Sequence, residues 1–441
     1  METFDLIVIG SGPGGYAAAI RAAKLGMKTA CVEKQETLGG TCLNVGCIPS
    51  KALLQSSEHY FFIKKHAKEH GIDASAEVDF SQMQSRKQTV VDGLVQGIKG
   101  LFDRNKVVWI RGEASFADKS TIKVKDKTYT AKNFILATGS EPTPLAGLAF
   151  DEKKIVSSTG ALALTSVPKK LLVIGAGVIG VELASVYCRL GAAVEIVEML
   201  DRICIGMDKA ISKELQRILT RQGIVFHLNT KVDPEKIDAD VVLVAVGRRP
   251  YTKGLGLDRI GVKQSDRGFV EVDNNYQTTV ANIYAIGDIV EGAMLAHRAS
   301  EEGIAVVDFL GGINSHVNLF AIPNVIYTAP EAAAVGMTEE EAKESGLEIA
   351  IGICPMKGNP RARAAGLAEG MVKVIGDKKS GKLIGLHIVC YNASEMIGEG
   401  VVALEKGMSL AELAASSHAH PTLSEAIKEA AMVALGRGIH L

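Results

Sequence analysis

The chain has 441 residues, enough for two or three domains of ordinary size. It is 47% apolar and 22% charged, which excludes a disordered chain; 49 basic residues against 50 acidic ones leave a net charge of −1, so no basic face is offered to a nucleic acid. Aromatics make up only 5%, with a single tryptophan, Trp109, which argues against stacking platforms for single strands or sugars.

The apolar run Phe4 to Ile9 starts at once, has no basic segment before it, and ends in glycines. It reads as a first strand and not as a signal peptide. The most apolar long window, Leu171 to Val194, is broken by Glu182, Arg189 and four glycines, which excludes a membrane helix there. The 46 glycines against 12 prolines point to tight turns and close backbone approach. Seven cysteines, an odd number without a secretory signal, make a structural disulfide framework unexpected; any disulfide should be catalytic.

The strongest feature is an internal echo. The strand ending at Ile9 leads into Gly10-Ser11-Gly12-Pro13-Gly14-Gly15, and the strand ending at Ile174 leads into Gly175-Ala176-Gly177-Val178-Ile179-Gly180. Each G-x-G-x-x-G opens a small-residue helix that stops near Leu-Gly. Each is followed by a second strand ending in an acid, Glu33 or Glu198, 23 residues after the first glycine in both. One such motif is weak evidence; two in the same strand–turn–helix–strand–acid setting are strong. The first glycine allows the turn, the second lets backbone approach a pyrophosphate at a helix N-terminus, and the third lets helix and strand pack. Each acid suits an adenosine ribose, and Glu198 would repel a 2′-phosphate, favouring NAD over NADP. Two dinucleotides are therefore expected on one chain.

Helical stretches are predicted near 50–70 and 82–104. Later strands run into Thr138-Gly139, Gly247 and Gly287-Asp288, returning toward the ligands. After about residue 320 the pattern changes to short strands (324–327, 348–353, 371–375, 382–389) followed by helical periodicity at 392–406 and 423–435, a separate α+β unit.

Cys42 and Cys47 lie in Gly39-Gly40-Thr41-Cys42-Leu43-Asn44-Val45-Gly46-Cys47-Ile48-Pro49-Ser50-Lys51, just beyond Glu33. Five residues apart, on little more than one helical turn, their sulfurs can meet. A disulfide beside a flavin could take two electrons and pass them on. A metal site would need further ligands at zinc spacing, and none follows. The other five cysteines read as small apolar residues. Near the end, His418-Ala419-His420-Pro421-Thr422-Leu423-Ser424-Glu425 sets an acid five residues after His420, where a carboxylate could orient an imidazole as a general base for a thiol.

Over essentially its whole length the chain resembles the pyridine nucleotide–disulfide oxidoreductases. The resemblance rests on the two glycine fingerprints, the Gly39–Lys51 segment, Gly287-Asp288, Met294-Leu295-Ala296-His297, Tyr327-Thr328-Ala329-Pro330-Glu331, and His418 to Glu425. It implies an α/β fold with two Rossmann-like dinucleotide-binding domains and a C-terminal α+β dimerisation domain. The expected limits are 1–147 with 268–319 for FAD, 148–267 for NAD, and 320–441 for the interface. FAD would be held by Gly10, Gly12, Gly14, Gly15, Glu33, Lys34, Gly40, Thr41, Lys51, Ala114, Thr138, Gly139, Ser140, Asp288 and Met294 to His297 (Met294, Leu295, Ala296, His297). NAD would be held by Gly175, Gly177, Val178, Ile179, Gly180, Glu182, Glu198, Val232 and Gly247. No metal is implied. Cys42 and Cys47 would form the redox disulfide, Cys42 exchanging with substrate and Cys47 facing the flavin. Lys51, paired with Glu182, would sit near flavin N5. His420, oriented by Glu425, would deprotonate the substrate thiol from the other subunit of a homodimer.

Within the family the likeness is to the members that oxidise dihydrolipoyl groups with NAD+, serving 2-oxo acid dehydrogenase complexes or the glycine cleavage system. Glutathione-reducing relatives usually carry basic residues where Glu198 stands. Mercury- and thioredoxin-reducing relatives carry extra redox residues at the C-terminus, where this chain has Arg437-Gly438-Ile439-His440-Leu441. Another disulfide substrate, or a docking subunit with a vestigial redox site, are the competing readings. No nucleic acid or membrane partner is expected, and the expected compartment is a bacterial cytoplasm, with a processed mitochondrial matrix protein as the alternative. One departure stands out: only about a dozen residues separate Val225-Phe226-His227 from Val241-Val242-Leu243, so the β-meander of the second nucleotide domain reads as truncated.

Overall fold

The computed structural model describes residues 2–440. The first strand, β1 (Glu2–Ile9), is buried along most of its length and enters helix α1 (Pro13–Lys24) through the Gly10–Gly12 turn. Pro13 stands in the first turn of α1, where its missing N–H costs nothing. The small face Gly14, Gly15, Ala18, Ala19 and Ala22 is buried. β2 (Thr29–Glu33), wholly buried, returns parallel to β1. The chain then forms α2 (Gly40–Val45), α3 (Cys47–Lys65) and the long α4 (Phe80–Asn105), close to the helical stretches expected from sequence. β3 (Val108–Arg111), β4 (Ala114–Asp118), β5 (Thr121–Val124) and β6 (Lys127–Leu136) complete one sheet in the order β3-β2-β1-β6-β5-β4. β3, β2, β1 and β6 are parallel, while β4 and β5 form an antiparallel hairpin on β6.

After β7 (Ser140–Pro142) comes the second nucleotide unit: β8 (Ile155–Val156), α5 (Ser158–Leu162), β9 (Lys170–Ile174), α6 (Val178–Arg189), β10 (Ala193–Val197), α7 (Lys209–Arg221), β11 (Val225–His227) and β12 (Val241–Val244). Its sheet, β11-β10-β9-β12-β8, is parallel throughout. Here the internal echo becomes geometry. β11-β10-β9-β12 repeats β3-β2-β1-β6, with α6 standing where α1 stands. The repeat breaks at one place. Where the first unit inserts the β4–β5 hairpin, the second has residues 228–240, which hold no strand and only a 3-10 turn at Pro234–Lys236. Val232, Ile237 and Ala239 of this connector pack against Leu172, Ile174, Val242 and Val244, so the short segment still covers that face of the sheet.

β13 (Arg248–Pro250) pairs antiparallel with β7 and carries the chain back to the first unit. There α8 (Leu257–Ile260), β14 (Ile283–Ala285) and α9 (Ala296–Leu310) follow, and β14 adds to the first sheet beside β6. The third unit is an antiparallel sheet, in the order β15-β16-β19-β18-β17, with helices on it. Its elements are β15 (Asn324–Ile326), β16 (Glu331–Gly336), α10 (Glu339–Glu344), β17 (Ile349–Pro355), α11 (Pro360–Ala364), β18 (Met371–Asp377), β19 (Leu383–Cys390), α12 (Ala393–Glu405), α13 (Leu410–Ala415) and α14 (Glu425–Ala434). The expected α/β class with two parallel units and an α+β third unit is what the chain forms. Among the described residues no helix is long and apolar enough to cross a membrane.

Candidate active site

The two glycine turns are near copies. Gly10 has φ +105° and Gly175 φ +103°, a backbone region open to glycine at little cost. A Cβ on Gly15 would stand 1.9 Å from Gly10 O, and one on Gly180 would stand 2.1 Å from Gly175 O, so the third glycine of each motif is fixed by packing. A Cβ on Gly12 or Gly177 would meet nothing within 4 Å. Both point into open space at a helix N-terminus, which is where a pyrophosphate would press against backbone. The acids match as well. Glu33 accepts from Ser11 N (3.0 Å) and Gln35 N (2.9 Å), and Glu198 accepts from Ala176 N (2.7 Å) and Leu200 N (3.0 Å). Each carboxylate is therefore locked at the rim of its turn with lone pairs left over.

One continuous cleft of about 2000 Å³ runs across both turns. That is about twice the upper size of an ordinary small-ligand pocket. Every cofactor residue expected from sequence lines it except Gly15 and Gly180, which sit beneath the turns. Lys34 lies 3.4 Å above the Tyr251 ring at one end, and Met294 to His297 line the opening of α9.

Cys42 and Cys47 both line this cleft. They do not share one helix, as their spacing had suggested. α2 carries Cys42 and ends at Gly46, and Cys47 is the first residue of α3. A Cβ on Gly46 would come within 2.9 Å of Thr41 O, so this tight break brings the two segments together. Both cysteines are free thiols, and each side chain shifts the titration of the other. The pair is asymmetric. Hydrogen bonding to the Cys47 sulfur in its thiolate form, with burial, drives the Cys42 thiol far up. The same bond, received from Cys42, then Lys51, draws Cys47 down to about 7 against the cost of burial. The N-terminal position of Cys47 on a 19-residue helix also favours a thiolate there.

Lys51, one turn along α3, reaches Glu182 on α6 at 2.8 Å and 3.1 Å. Glu182 is buried at 3% exposure and also accepts from Ser50 Oγ (3.0 Å) and Tyr327 N (2.9 Å). Burial pulls the Lys51 ammonium down, but Glu182 outweighs it and the net shift is upward. Lys51 Nζ also lies 4.4 Å over the Tyr327 ring. Asp288 accepts from Ser140 Oγ (2.5 Å), and Ser140 in turn is held by the Arg248 guanidinium (2.7 Å). Gly287 N donates to the fully buried Glu302 (2.7 Å), which pairs with Arg298 (2.7 Å). Arg298 also donates to Ala293 O and Glu291 O, so α9 clamps the whole Gly287–Ala293 segment.

His420 and Glu425 are outside the cleft of their own chain. They form the dyad expected from sequence, with Nδ1 2.9 Å from the carboxylate, and Glu425 also accepts from Thr422 N (2.7 Å). The His420 side chain is 68% exposed. His418 is different: its ring is occupied by Glu399 (2.8 Å) and Ser416 O (3.1 Å). Sequence reasoning passed over Ser11, whose Oγ donates to Glu33 (2.7 Å), and it passed over Arg248. It quoted Tyr327 only as part of a motif. Position after a glycine-ended strand was the available signal for Arg248, and position inside a recognised motif was the signal for Ser11 and Tyr327. Among the described residues no group of three His, Cys, Asp or Glu side chains is arranged to hold a metal ion.

Comparison with known proteins agrees with this geometry. Residues 4–303 match the family model described as pyridine nucleotide-disulphide oxidoreductase, and residues 322–431 match that family's dimerisation domain. The chain is 50% identical over 99% of its length to a mitochondrial dihydrolipoyl dehydrogenase of Schizosaccharomyces pombe, covering 91% of that protein. It is 47% identical, over 99% of its length and 92% of the relative, to the mitochondrial dihydrolipoyl dehydrogenase of Pisum sativum. Among solved structures, the flavoprotein disulfide reductase RclA of Escherichia coli superposes with a TM-score of 0.87 at 27% identity, covering 97% of this chain and 99% of that one. By twin dinucleotide turns, paired thiols and sequence alike, the chain belongs to the pyridine nucleotide-disulphide oxidoreductase family.

Proposed function

We propose that this chain is an NAD+-dependent dihydrolipoyl dehydrogenase, a homodimeric flavoprotein that reoxidises protein-bound dihydrolipoyl groups. The observation that carries this reading is the asymmetric Cys42/Cys47 dithiol in the one cleft that both glycine turns also line. The roughly 50% identity to dihydrolipoyl dehydrogenases over 99% of the chain supports the choice of substrate.

The residues present fit both nucleotides. Open space above Gly12 and Gly177 suits two pyrophosphates, and Glu33 and Glu198 suit two riboses. In this reading FAD is held by the first unit, with Asp288 and Met294 to His297 along its length, and NAD by the second, with Val178, Ile179, Val232 and Gly247 on its wall. FAD, when bound, supplies the two-electron acceptor between the dithiol and NAD+.

The protein's own part is thiol chemistry and placement. His420 of the partner subunit takes the proton from one substrate thiol, with Glu425 fixing its tautomer. That thiolate attacks Cys42 Sγ in the oxidised pair; the S–S bond breaks and Cys47 leaves as thiolate, the form that Lys51 and the α3 N-terminus favour. The second substrate thiol displaces Cys42, and its proton passes to the departing Cys42 sulfur. The substrate leaves as its disulfide; the enzyme holds the two electrons as a Cys42 thiol and a Cys47 thiolate, with the other proton on the imidazole, so electrons and protons balance. Lys51, held by Glu182, places a positive charge beside this thiolate.

The domain limits expected from sequence, 1–147 with 268–319, 148–267 and 320–441, belong to this proposal with one correction: Leu255, Leu257, Ile260 and Val262 pack in the core of the first unit with Phe4 and Ile7, so its second segment begins before residue 268. The return of β14 to the first sheet supports the discontinuous first domain. The partners belong to the proposal as well: lipoyl domains of 2-oxo acid dehydrogenase complexes or of the glycine cleavage system. A cytoplasmic site belongs to the proposal too, although the two relatives named above are mitochondrial proteins; fractionation of native cells decides between cytosol and matrix.

The test is an anaerobic spectrum of the purified protein, followed by dihydrolipoamide and then NAD+. A flavin spectrum that gains a long-wavelength thiolate band and loses it on NAD+ addition is expected. Flavin reduced by NADH but blind to dihydrolipoamide would keep the family and overturn the substrate.

A further inference from the structure

The His420–Glu425 dyad sits on a loop, and the loop must be held for the base to meet a thiol on the other subunit. The holding group is Asn359, which comes from a different element and is 4% exposed. Its carboxamide NH2 donates to Thr422 O at 2.9 Å and to Leu423 O at 3.4 Å. Its Oδ1 accepts from Ala362 N at 2.9 Å and so caps α11. Thr422, pinned through its carbonyl, gives its N–H to Glu425 Oε2 at 2.7 Å. Glu425 Oε1 then meets His420 Nδ1 at 2.9 Å. Thr422 Oγ1 closes the loop on Ala419 O at 2.8 Å. No other side-chain hydrogen bond ties residues 419–424 to the sheet-side elements among the described residues.

We propose that Asn359 is a positioning residue for the general base: one amide fastens the His420 loop to the β17–α11 segment and thereby sets the register in which Glu425 holds His420. It touches neither thiol nor nucleotide, and it acts through Thr422. This inference rests on the dihydrolipoyl dehydrogenase reading above.

The two halves of Asn359 can be separated. Asn359→Asp keeps the oxygen that caps α11 and sets an acceptor against the carbonyls of Thr422 and Leu423. Asn359→Ser keeps a good cap and cannot reach those carbonyls. The experiment compares both holoenzymes with the parent in two reactions: oxidation of dihydrolipoamide by NAD+, which needs the base, and oxidation of NADH by ferricyanide, which needs only flavin and nucleotide. A displaced base costs on the order of tenfold or more in rate. The expected result is a kcat for dihydrolipoamide lowered by that factor in both variants. KM should stay within about threefold, with FAD content, dimer size and NADH–ferricyanide rate unchanged. Unchanged kcat overturns the proposal. So does a parallel fall of both reactions, or loss of FAD or dimer in both variants, since that is the mark of a purely structural residue. A parent enzyme that fails to oxidise dihydrolipoamide would instead overturn the substrate reading.

Discussion

Lys51 and Glu182 stand 131 residues apart in the chain and 2.8 Å apart in the fold. The lysine is on the helix that begins with Cys47, and the glutamate is on the helix that begins at the second glycine turn. One ion pair therefore ties the helix of the paired thiols to the unit of the second glycine turn. Glu182→Gln should leave Lys51 without a counter-charge in a largely buried place. Breaking such a pair costs about 3–5 kcal/mol. Lys51 pairing stabilises the fold below the ordinary lysine value of 10.5 and is lost as pH rises above it, because its folded value is raised. The variant should show lower urea stability at pH 8, a difference from the parent that shrinks only as pH rises through the raised Lys51 value, and slower flavin reduction by NADH. Equal stability at pH 8 would contradict the account.

The thiols differ enough to be told apart in the reduced enzyme. Cys47 is drawn to about 7 by the hydrogen bond from Cys42 and the charge of Lys51. Alkylation by iodoacetamide should therefore modify Cys47 with a midpoint near pH 7, falling away on the acid side as the thiolate is protonated. Cys42→Ala removes the larger of the two favourable contacts, so its midpoint should move upward. Peptide mass mapping across pH checks both statements; a midpoint that ignores Cys42→Ala would discount the hydrogen bond.

Two glycines of each turn make opposite predictions. Gly12→Ala and Gly177→Ala add a methyl where nothing lies within 4 Å, so both proteins should fold. They should fail by ligand: Gly12→Ala in FAD retention, and Gly177→Ala in NAD affinity with FAD kept, each by about tenfold or more from lost backbone approach. Gly15→Ala and Gly180→Ala place a methyl 1.9 Å and 2.1 Å from a carbonyl oxygen and should lose soluble protein instead. Isothermal titration with NAD+ and the flavin-to-protein absorbance ratio separate the cases.

His420 lies outside the cleft of its own chain, which supports its working on the partner's thiols. Homodimers of His420→Gln and of Cys42→Ser should each be inactive toward dihydrolipoamide. Mixed dimers prepared by co-expression should regain one working site, up to about half the parent rate per dimer. A mixed dimer that stays inactive would place base and thiol in one chain.

Much of this site was legible because its constraints are local. A strand, a turn at positive φ, a small-residue helix and an acid at fixed spacing recur at Gly10 and Gly175, and each step has its own steric reason. The His420–Glu425 pair was legible for the same reason, five residues apart. The Gly46 break was not: a single glycine is tolerated in a helix, and what forces the break is the approach to Thr41 O across the turn. β16 (Glu331–Gly336) was also missed as a strand. Its Glu-Ala-Ala-Ala-Val-Gly has little strand character, and its place comes from pairing on both sides within a buried sheet. Lys51–Glu182 was legible only through family likeness, since no pattern in either helix points to the other.

A second distant ion pair binds the nucleotide unit to the third unit. Asp208, fully buried at the N-cap of α7, accepts from Lys373 Nζ of β18 at 2.7 Å and from Glu339 N at 3.1 Å. Lys373, 1% exposed, also meets Glu339 at 2.6 Å. Burial raises the Asp208 carboxyl, but Lys373 and the Glu339 N–H outweigh it, and its folded value lies below the ordinary 3.8. Its contribution is therefore present above pH 3.8 and is lost as pH falls through the lower, folded value. Lys373→Met would strand a buried carboxylate and should cost about 3–5 kcal/mol at pH 7. Adding Asp208→Asn removes the stranded charge and should return part of that loss. The gap between parent and Lys373→Met should narrow toward pH 3 as the carboxyl protonates in the single variant first. Urea melts of the three proteins at pH 7 and pH 4 decide it: equal losses for the single and double variants would mean that packing, and not the stranded charge, holds this junction.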